Sequence, residues 1–274
     1  MQRTWRAPLL VGLVSGGFAG GCSLLIDTSD LAGRADPDGA TADAPADAPA
    51  SDTSNGDGGA VDGSTPDASC EASFCDDFDE LPLGGRWTSK TITNGGQLSL
   101  GTASTISAPN ALHAFVEDGG APAVRKAFVE RDLGKGSRVR CDFAAFVTEA
   151  PKDDFSDLFV ITTSAQNVTT YKLLYGIAAG PGTFRDDVFY SDGGCDCPRL
   201  ASGPPLLPRG QWVRVSVETD FKTGRVTYDG VVVSEQPTAP ITPTGTITVQ
   251  LGILSYGRDR TDVLYDDVAC TIWK

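Results

Sequence analysis

Gly210-Gln211-Trp212-Val213-Arg214-Val215-Ser216-Val217-Glu218 alternates strictly, with Val213, Val215 and Val217 set between Trp212, Arg214, Ser216 and Glu218. Side chains along a strand point to opposite faces in turn, so this run is predicted to be a strand with one face in a core. Lys222-Thr223-Gly224 then turns the chain into Val226-Thr227-Tyr228, and Asp229-Gly230 separates that from Val231-Val232-Val233. An Asp-Gly pair tolerates the positive φ angles of a two-residue hairpin loop, so a tight hairpin is expected there. The same alternation recurs outward from this point. Val139, Cys141, Phe143 and Ala145 share one face, as do Ile247, Val249, Leu251 and Ile253. Leu264, Asp266, Val268, Cys270 and Ile272 are expected to share a face of the final strand. Asn94-Gly95-Gly96 and Asp118-Gly119-Gly120 are further turn signals. Helical periodicity is nowhere sustained. Strands with one apolar face imply antiparallel sheets packed on a common core. Residues 70–274 are long enough to bury one.

The residues before this region read differently. Arg3 and Arg6 precede an apolar stretch from Ala7 to Phe18, broken by Gly12, Gly16 and Gly17. It is shorter than the roughly 20 apolar residues a bilayer span needs, and it matches a secretory signal. Ala19-Gly20-Gly21 leads directly to Cys22 in an arrangement that resembles a lipobox, which implies lipidation of Cys22 and a signal peptide over 1–21. Ala19 departs from the leucine usual at that place, and ordinary cleavage near Gly21 is the alternative. Ser23 is not a retention residue of the enterobacterial type, so an outer-membrane or cell-surface lipoprotein is expected, with a periplasmic or secreted protein as the alternative.

Residues 22–69 are expected to form a disordered tether. Ala, Asp, Gly, Pro, Ser and Thr dominate, ten Asp face one Arg, and Ala42-Asp43-Ala44-Pro45 nearly repeats as Ala46-Asp47-Ala48-Pro49. So little apolar surface cannot offset the entropy of ordering. The chain as a whole carries −14 and has no basic stripe, which argues against nucleic acid as a partner.

The run from Gly210 to Val217, with Gly224 and Tyr228-Asp229-Gly230 behind it, resembles the central strand pair of laminin-G-like and other concanavalin-A-like domains. Phe74-Cys75-Asp76-Asp77-Phe78-Asp79, with Trp87 after it, looks like the first strand of that superfamily. Tyr265-Asp266-Asp267-Val268 looks like its last strand, and Ser107-Ala108-Pro109-Asn110-Ala111-Leu112 like a small-residue turn into a strand. The resemblance covers nearly all of 70–274. It implies an all-β fold: a two-sheet antiparallel jelly-roll sandwich with the terminal strands adjacent.

That adjacency implies a disulfide scheme. Seven cysteines are present, and lipidation of Cys22 leaves an even number in an exported chain. Cys141 and Cys270, each on the apolar face of its strand, are expected to meet in the core. Cys70 and Cys75 would close a small loop, and Cys195 would pair with Cys197. Many carbohydrate-active jelly rolls hold calcium where first and last strands meet. The resemblance therefore implies a structural calcium at Asp76 and Asp266, the latter expected to face inward. The alternative is that both carboxylates cap turns.

The superfamily contains glycoside hydrolases and polysaccharide lyases. Retaining hydrolysis needs two carboxylates about 5–5.5 Å apart, and no acid-x-acid-x-acid run occurs here. The acid pairs Asp153-Asp154, Asp186-Asp187 and Asp266-Asp267 are direct neighbours. His113, the single histidine, lies in an apolar run and reads as structural. No catalytic residue is therefore assigned. The reading favours a non-catalytic, lectin-like domain that binds extracellular or envelope polysaccharide. A protein-binding or structural surface module is the first alternative, and a hydrolase or lyase with an atypical site is the second. Aromatic and charged side chains suited to sugars are Tyr171, Tyr175, Arg185, Asp187, Tyr190, Tyr256 and Arg258. For each tyrosine, a place in the core is the competing expectation.

Overall fold

A computed structural model describes residues 70–274 except Gly84, Ala103, 120–123 and 198–202. The expected signal peptide (1–21), the lipidation site Cys22 and the tether (22–69) lie outside the described residues. No helix occurs among those described. The chain forms β1 Phe74–Asp76, β2 Ser89–Thr93, β3 Gly96–Gly101, β4 Ala111–Val116, β5 Arg125–Gly134, β6 Arg138–Glu149 and β7 Phe155–Ala165. It continues through β8 Val168–Ala178, β9 Thr183–Tyr190, β10 Cys195–Asp196, β11 Trp212–Thr219 and β12 Thr223–Tyr228. It ends with β13 Val231–Pro237, β14 Ile247–Ser255 and β15 Thr261–Trp273.

Two antiparallel sheets result. One has the order β13-β12-β11-β6-β15-β4-β3, with β1 also paired to β15, and the other has the order β10-β9-β8-β7-β14-β5-β2. The expected hairpin is present: Tyr228 pairs with Val231 around Asp229-Gly230, whose φ angles are 48° and 81°. Asn94 and Gly95 also have positive φ, but their turn carries the chain from one sheet to the other, because β2 pairs with β5 and β3 with β4. First and last strands are adjacent, with Phe74 opposite Cys270 and Asp76 opposite Val268.

Between the sheets lies one apolar core. Phe143 of the first sheet packs on Phe159 and Tyr175 of the second at centroid distances of 5.3 and 6.5 Å, and on Tyr265 at 6.1 Å. Cys141 and Cys270 are direct register partners on β6 and β15, both fully buried, and they form the disulfide that bridges the two strands. Cys70–Cys75 and Cys195–Cys197 are the other two disulfides.

The last strand departs from simple alternation. A bulge between Asp266 and Ala269, with Asp267 at φ 49°, shifts the register against β6. Before the bulge Tyr265 enters the core and Asp266 turns away from it, opposite Ala144. After the bulge Cys270 enters. The expectation that Asp266 shares the face of Cys270 is thereby corrected. The extra residue of a bulge flips the parity of everything beyond it.

Candidate functional site

Strand parity in the seven-stranded sheet separates two sets of side chains. On β8, Tyr171, Leu173, Tyr175 and Ile177 belong to the core, while Lys172 and Leu174 point to the opposite, outer face. Tyr171 and Tyr175 are fully buried, the first against Phe221 at 5.7 Å and the second donating its hydroxyl to Tyr228 at 3.0 Å. They are core residues, which corrects their candidacy as sugar platforms: the apolar parity set of β8 is the one that packs inward.

The outer face is not a flat solvated surface. Phe128 on β5, Leu254 on β14, Val160 on β7 and Leu174 on β8 are buried there, yet none belongs to the core between the sheets. Val160 lies opposite both Gln250 and Leu174, so these apolar chains run across the strands as a floor. A bulge between Leu251 and Leu254 opens a cleft lined by Phe128, Asp157, Val160 and Gln250, with room for about one water molecule. Polar groups flank the floor. Gln250 donates to Glu130 at 2.7 Å, Thr248 donates to Asp132 at 2.8 Å, and Lys172 stands opposite Thr162 and Asp187. The Thr162 hydroxyl is buried and has no hydrogen-bond partner.

At one end of this face sits a charged cluster. Arg185 on β9 reaches across β8 to Asp157 on β7 with two hydrogen bonds, at 3.1 and 3.2 Å. Gly176, directly opposite Asp157 on the intervening strand, leaves the crossing free of a side chain. Asp157 is 1% exposed and Arg185 6%. Asp187 approaches the Arg185 Nε at 3.7 Å. The guanidinium lies 4.9 Å from the Phe155 ring centre, and Phe155 in turn lies 5.1 Å from Tyr256. Tyr256, Phe155 and Arg185 thus form a stack that covers Asp157. Lys172 sits 5.5 Å from the Phe189 ring.

Burial sets the electrostatics here. It pushes the Asp157 carboxyl up to about 6, with Arg185 pulling against it. Asp187 is raised too, by burial first and against Arg185 and Lys172. The Tyr256 hydroxyl is driven above its ordinary value by burial and by the negative charge of Asp157.

The loop that carries Tyr256 is pinned rather than free. Arg125, buried at the start of β5, donates to the carbonyls of Glu117, Gly257 and Asp259. Asp259 accepts from the backbone N–H groups of Lys152 and Asp153 at 2.8 and 2.6 Å. Arg258 lies exposed in the same loop, where its carbonyl accepts from Gly119 at 2.9 Å. Of the candidates read from sequence, the structure brings Arg185, Asp187 and Tyr256 together. Tyr190 lies five residues beyond Arg185, about 16 Å along the strand. Sequence reasoning missed Asp157, Phe155, Lys172 and Gln250. An acid inside the apolar run Phe155-Ser156-Asp157-Leu158-Phe159-Val160 was the available signal for the first of these.

His113 belongs to the other sheet. Its Nε2 lies 2.9 Å from Asp262, which also pairs with Arg260 at 3.2 Å. Asp76 and Asp266 are held separately. Asp76 accepts from the Phe78 N–H at 2.9 Å and the Trp87 indole N–H at 2.6 Å. Asp266 accepts from the N–H groups of Ile106, Ser107 and Asp267 and from the Ser107 hydroxyl, at 2.7–3.0 Å. Calcium requires oxygen ligands, whereas these carboxylates are surrounded by N–H and O–H donors. Among the described residues, no three His, Cys, Asp or Glu side chains gather as a metal set.

No protein-family model matches the sequence, and no curated protein matches it. Solved structures do share its fold. An endo-β-1,4-glucuronan lyase from the fungus Trichoderma reesei superposes with a TM-score of 0.56 at 15% identity, over 73% of this chain and 95% of its own. A cellulose-induced protein gives 0.54 at 16%, over 72% and 96%. The κ-carrageenase of Pseudoalteromonas carrageenovora, in complex with a κ-carrageenan oligotetrasaccharide, gives 0.50 at 12%, over 74% and 94%. The architecture shared with these structures is a sandwich of two antiparallel sheets.

Proposed function

We propose that residues 70–274 form a lectin-like domain that lays a polysaccharide across the outer face of the seven-stranded sheet without cleaving it. The observation that carries this reading is the polar set Gln250, Glu130, Lys172 and Asp187, which reaches the surface of this face above the buried apolar layer of Phe128, Val160, Leu174 and Leu254. A sugar offers a rim of hydroxyls, which amide, carboxylate and ammonium groups can meet as donors and acceptors. Two of the solved structures that share the fold are named for acting on polysaccharides, which supports the same class of partner.

The state of the ionisable groups favours binding over turnover. Burial pushes the Tyr256 hydroxyl above its ordinary value, and Asp157, whose value near 6 would suit a base, is 1% exposed and held by Arg185. Arg185 is occupied by Asp157 and covered by Phe155, so it is not available to neutralise a substrate carboxylate. The domain is further proposed to be displayed at the cell surface through lipidated Cys22. Its three disulfides use the other six cysteines, which agrees with an oxidising compartment.

A glycan array tests the binding claim. Preference for a class of polysaccharide supports it, and uniform absence of signal points to a structural or protein-binding module. One observation favours a second reading as a lyase: a tyrosine hydroxyl stands beside an acid on the same face as Gln250. Unsaturated uronate ends released from an extracellular polysaccharide would establish that reading in place of the first.

A further inference from the structure

A second recess lies at the far end of the same sheet, where β7 turns into β8. It encloses about 450 Å³ between the Gln166-Asn167 turn, the end of β9 and the segment 239–242. That volume falls within the roughly 300–1,000 Å³ of small-molecule sites. Val168, Pro240 and Ile241 supply apolar walls, and Tyr190, 39% exposed, stands at the rim. The side-chain amides of Gln166 and Asn167 have no hydrogen-bond partner among the described residues. None of the ten residues that line the recess is charged, although 21% of the chain is.

Its walls are fixed from outside the recess. The Tyr190 N–H donates to Gly194 at 2.9 Å, and the Ser191 N–H donates to the Asn167 carbonyl at 3.2 Å. Ala239 donates to Asp186 at 2.7 Å, Ile241 to Phe221 at 3.1 Å and Thr244 to Ser164 at 2.8 Å. A preformed recess spares a ligand the cost of ordering it.

The geometry points to a separate binding site for a short neutral saccharide, with one ring against Tyr190 and its hydroxyls on the amides of Gln166 and Asn167. Aromatic faces pack on the apolar face of a sugar. Amides both donate and accept, as hydroxyls do. The absence of charge disfavours uronates and sulfated sugars, which would lose their hydration here without gaining a counter-charge. This site does not depend on the polysaccharide face, because no residue is shared between them.

The test titrates the full-length protein by calorimetry with cello-, xylo-, manno- and laminari-oligosaccharides, and maps each complex by hydrogen exchange. The expected result is that one series protects the backbone around 165–168, 188–191 and 239–242. Tyr190→Ala then weakens binding about tenfold, Gln166→Ala weakens it severalfold, and Tyr190→Phe stays within about twofold. Both side chains are at the surface, so circular dichroism is expected to show all three variants folded. Binding by none of the series, protection confined to the Gln250–Lys172 face, or unchanged affinity in folded Tyr190→Ala would overturn the proposal.

Discussion

Arg185 holds Asp157 across an intervening strand through two nearly solvent-free hydrogen bonds, at 3.1 and 3.2 Å. Removing one member of a buried pair leaves the other charge uncompensated, at a cost of about 3–5 kcal/mol. Arg185→Ala is expected to destabilise the domain by that amount in urea denaturation. The double variant Arg185→Met with Asp157→Leu should recover most of the loss, because two apolar side chains need no counter-charge. A single variant as stable as the parent would show that the pair is solvated.

The same carboxyl gives the domain a pH signature. Its value is raised from 3.8 to about 6 in the folded state. Between those values the folded protein holds a proton that the unfolded chain has released. Its contribution to stability is therefore complete below pH 3.8 and is lost as pH rises through 6. Asp76, Asp187 and Asp266 are displaced in the same direction, while Asp262 is displaced in the opposite one by His113 and Arg260 working against its burial. Subtracting the stability curve of Asp157→Asn from that of the parent isolates one group. The difference is expected to move against the parent between pH 4 and 6. A flat difference would place Asp157 at an ordinary carboxylate value.

The parts of this fold that sequence made legible are those where local rules act alone. The Asp229-Gly230 hairpin and the alternation of β6, β11 and β14 follow from turn chemistry and period two. Two features did not yield to those rules. Parity along β8 separates Tyr171 and Tyr175 from Lys172, but it does not by itself say which set packs inward; tertiary burial settles that. The bulge at Asp266–Ala269 reversed the expected facing of Asp266, and a single inserted residue leaves no compositional trace. The charged cluster was half visible. Arg185, Asp187 and Tyr256 stood out as polar or aromatic residues beside apolar ones. Their partner Asp157 was less visible, because Arg185 reaches it across the intervening strand β8 and Tyr256 meets it only through the pairing of β7 with β14, which is distant in sequence.

Cys141 and Cys270 close a loop with a sequence separation of 129. A crosslink of that span constrains the unfolded chain by about 5 kcal/mol in the loop-entropy account. Replacing both with alanine is expected to lower stability by 2–5 kcal/mol and to reduce the melting temperature markedly. The Cys195–Cys197 link spans two positions at the exposed edge strand β10, and its loss should cost less than half as much. Equal losses from the two would contradict this ranking.

Asp76 and Asp266 bear on calcium. Their oxygens are taken by N–H and O–H donors, four of them on Asp266 alone. Melting curves recorded with excess calcium and with a chelator are therefore expected to overlay. An upward shift with calcium, lost in Asp266→Asn, would show that a cation competes with those donors.

The most direct test of the central claim is a binding isotherm on the polysaccharide that a glycan array selects, for the parent and for Gln250→Ala and Lys172→Ala, with chain cleavage followed in the same samples. Both substitutions are on half-buried side chains of the outer sheet face and should leave the melting temperature within a few degrees. The account predicts saturable binding by the parent, affinity at least several-fold weaker in each variant, and no new chain ends. Unchanged affinity in both variants, or release of new chain ends by the parent, would contradict it.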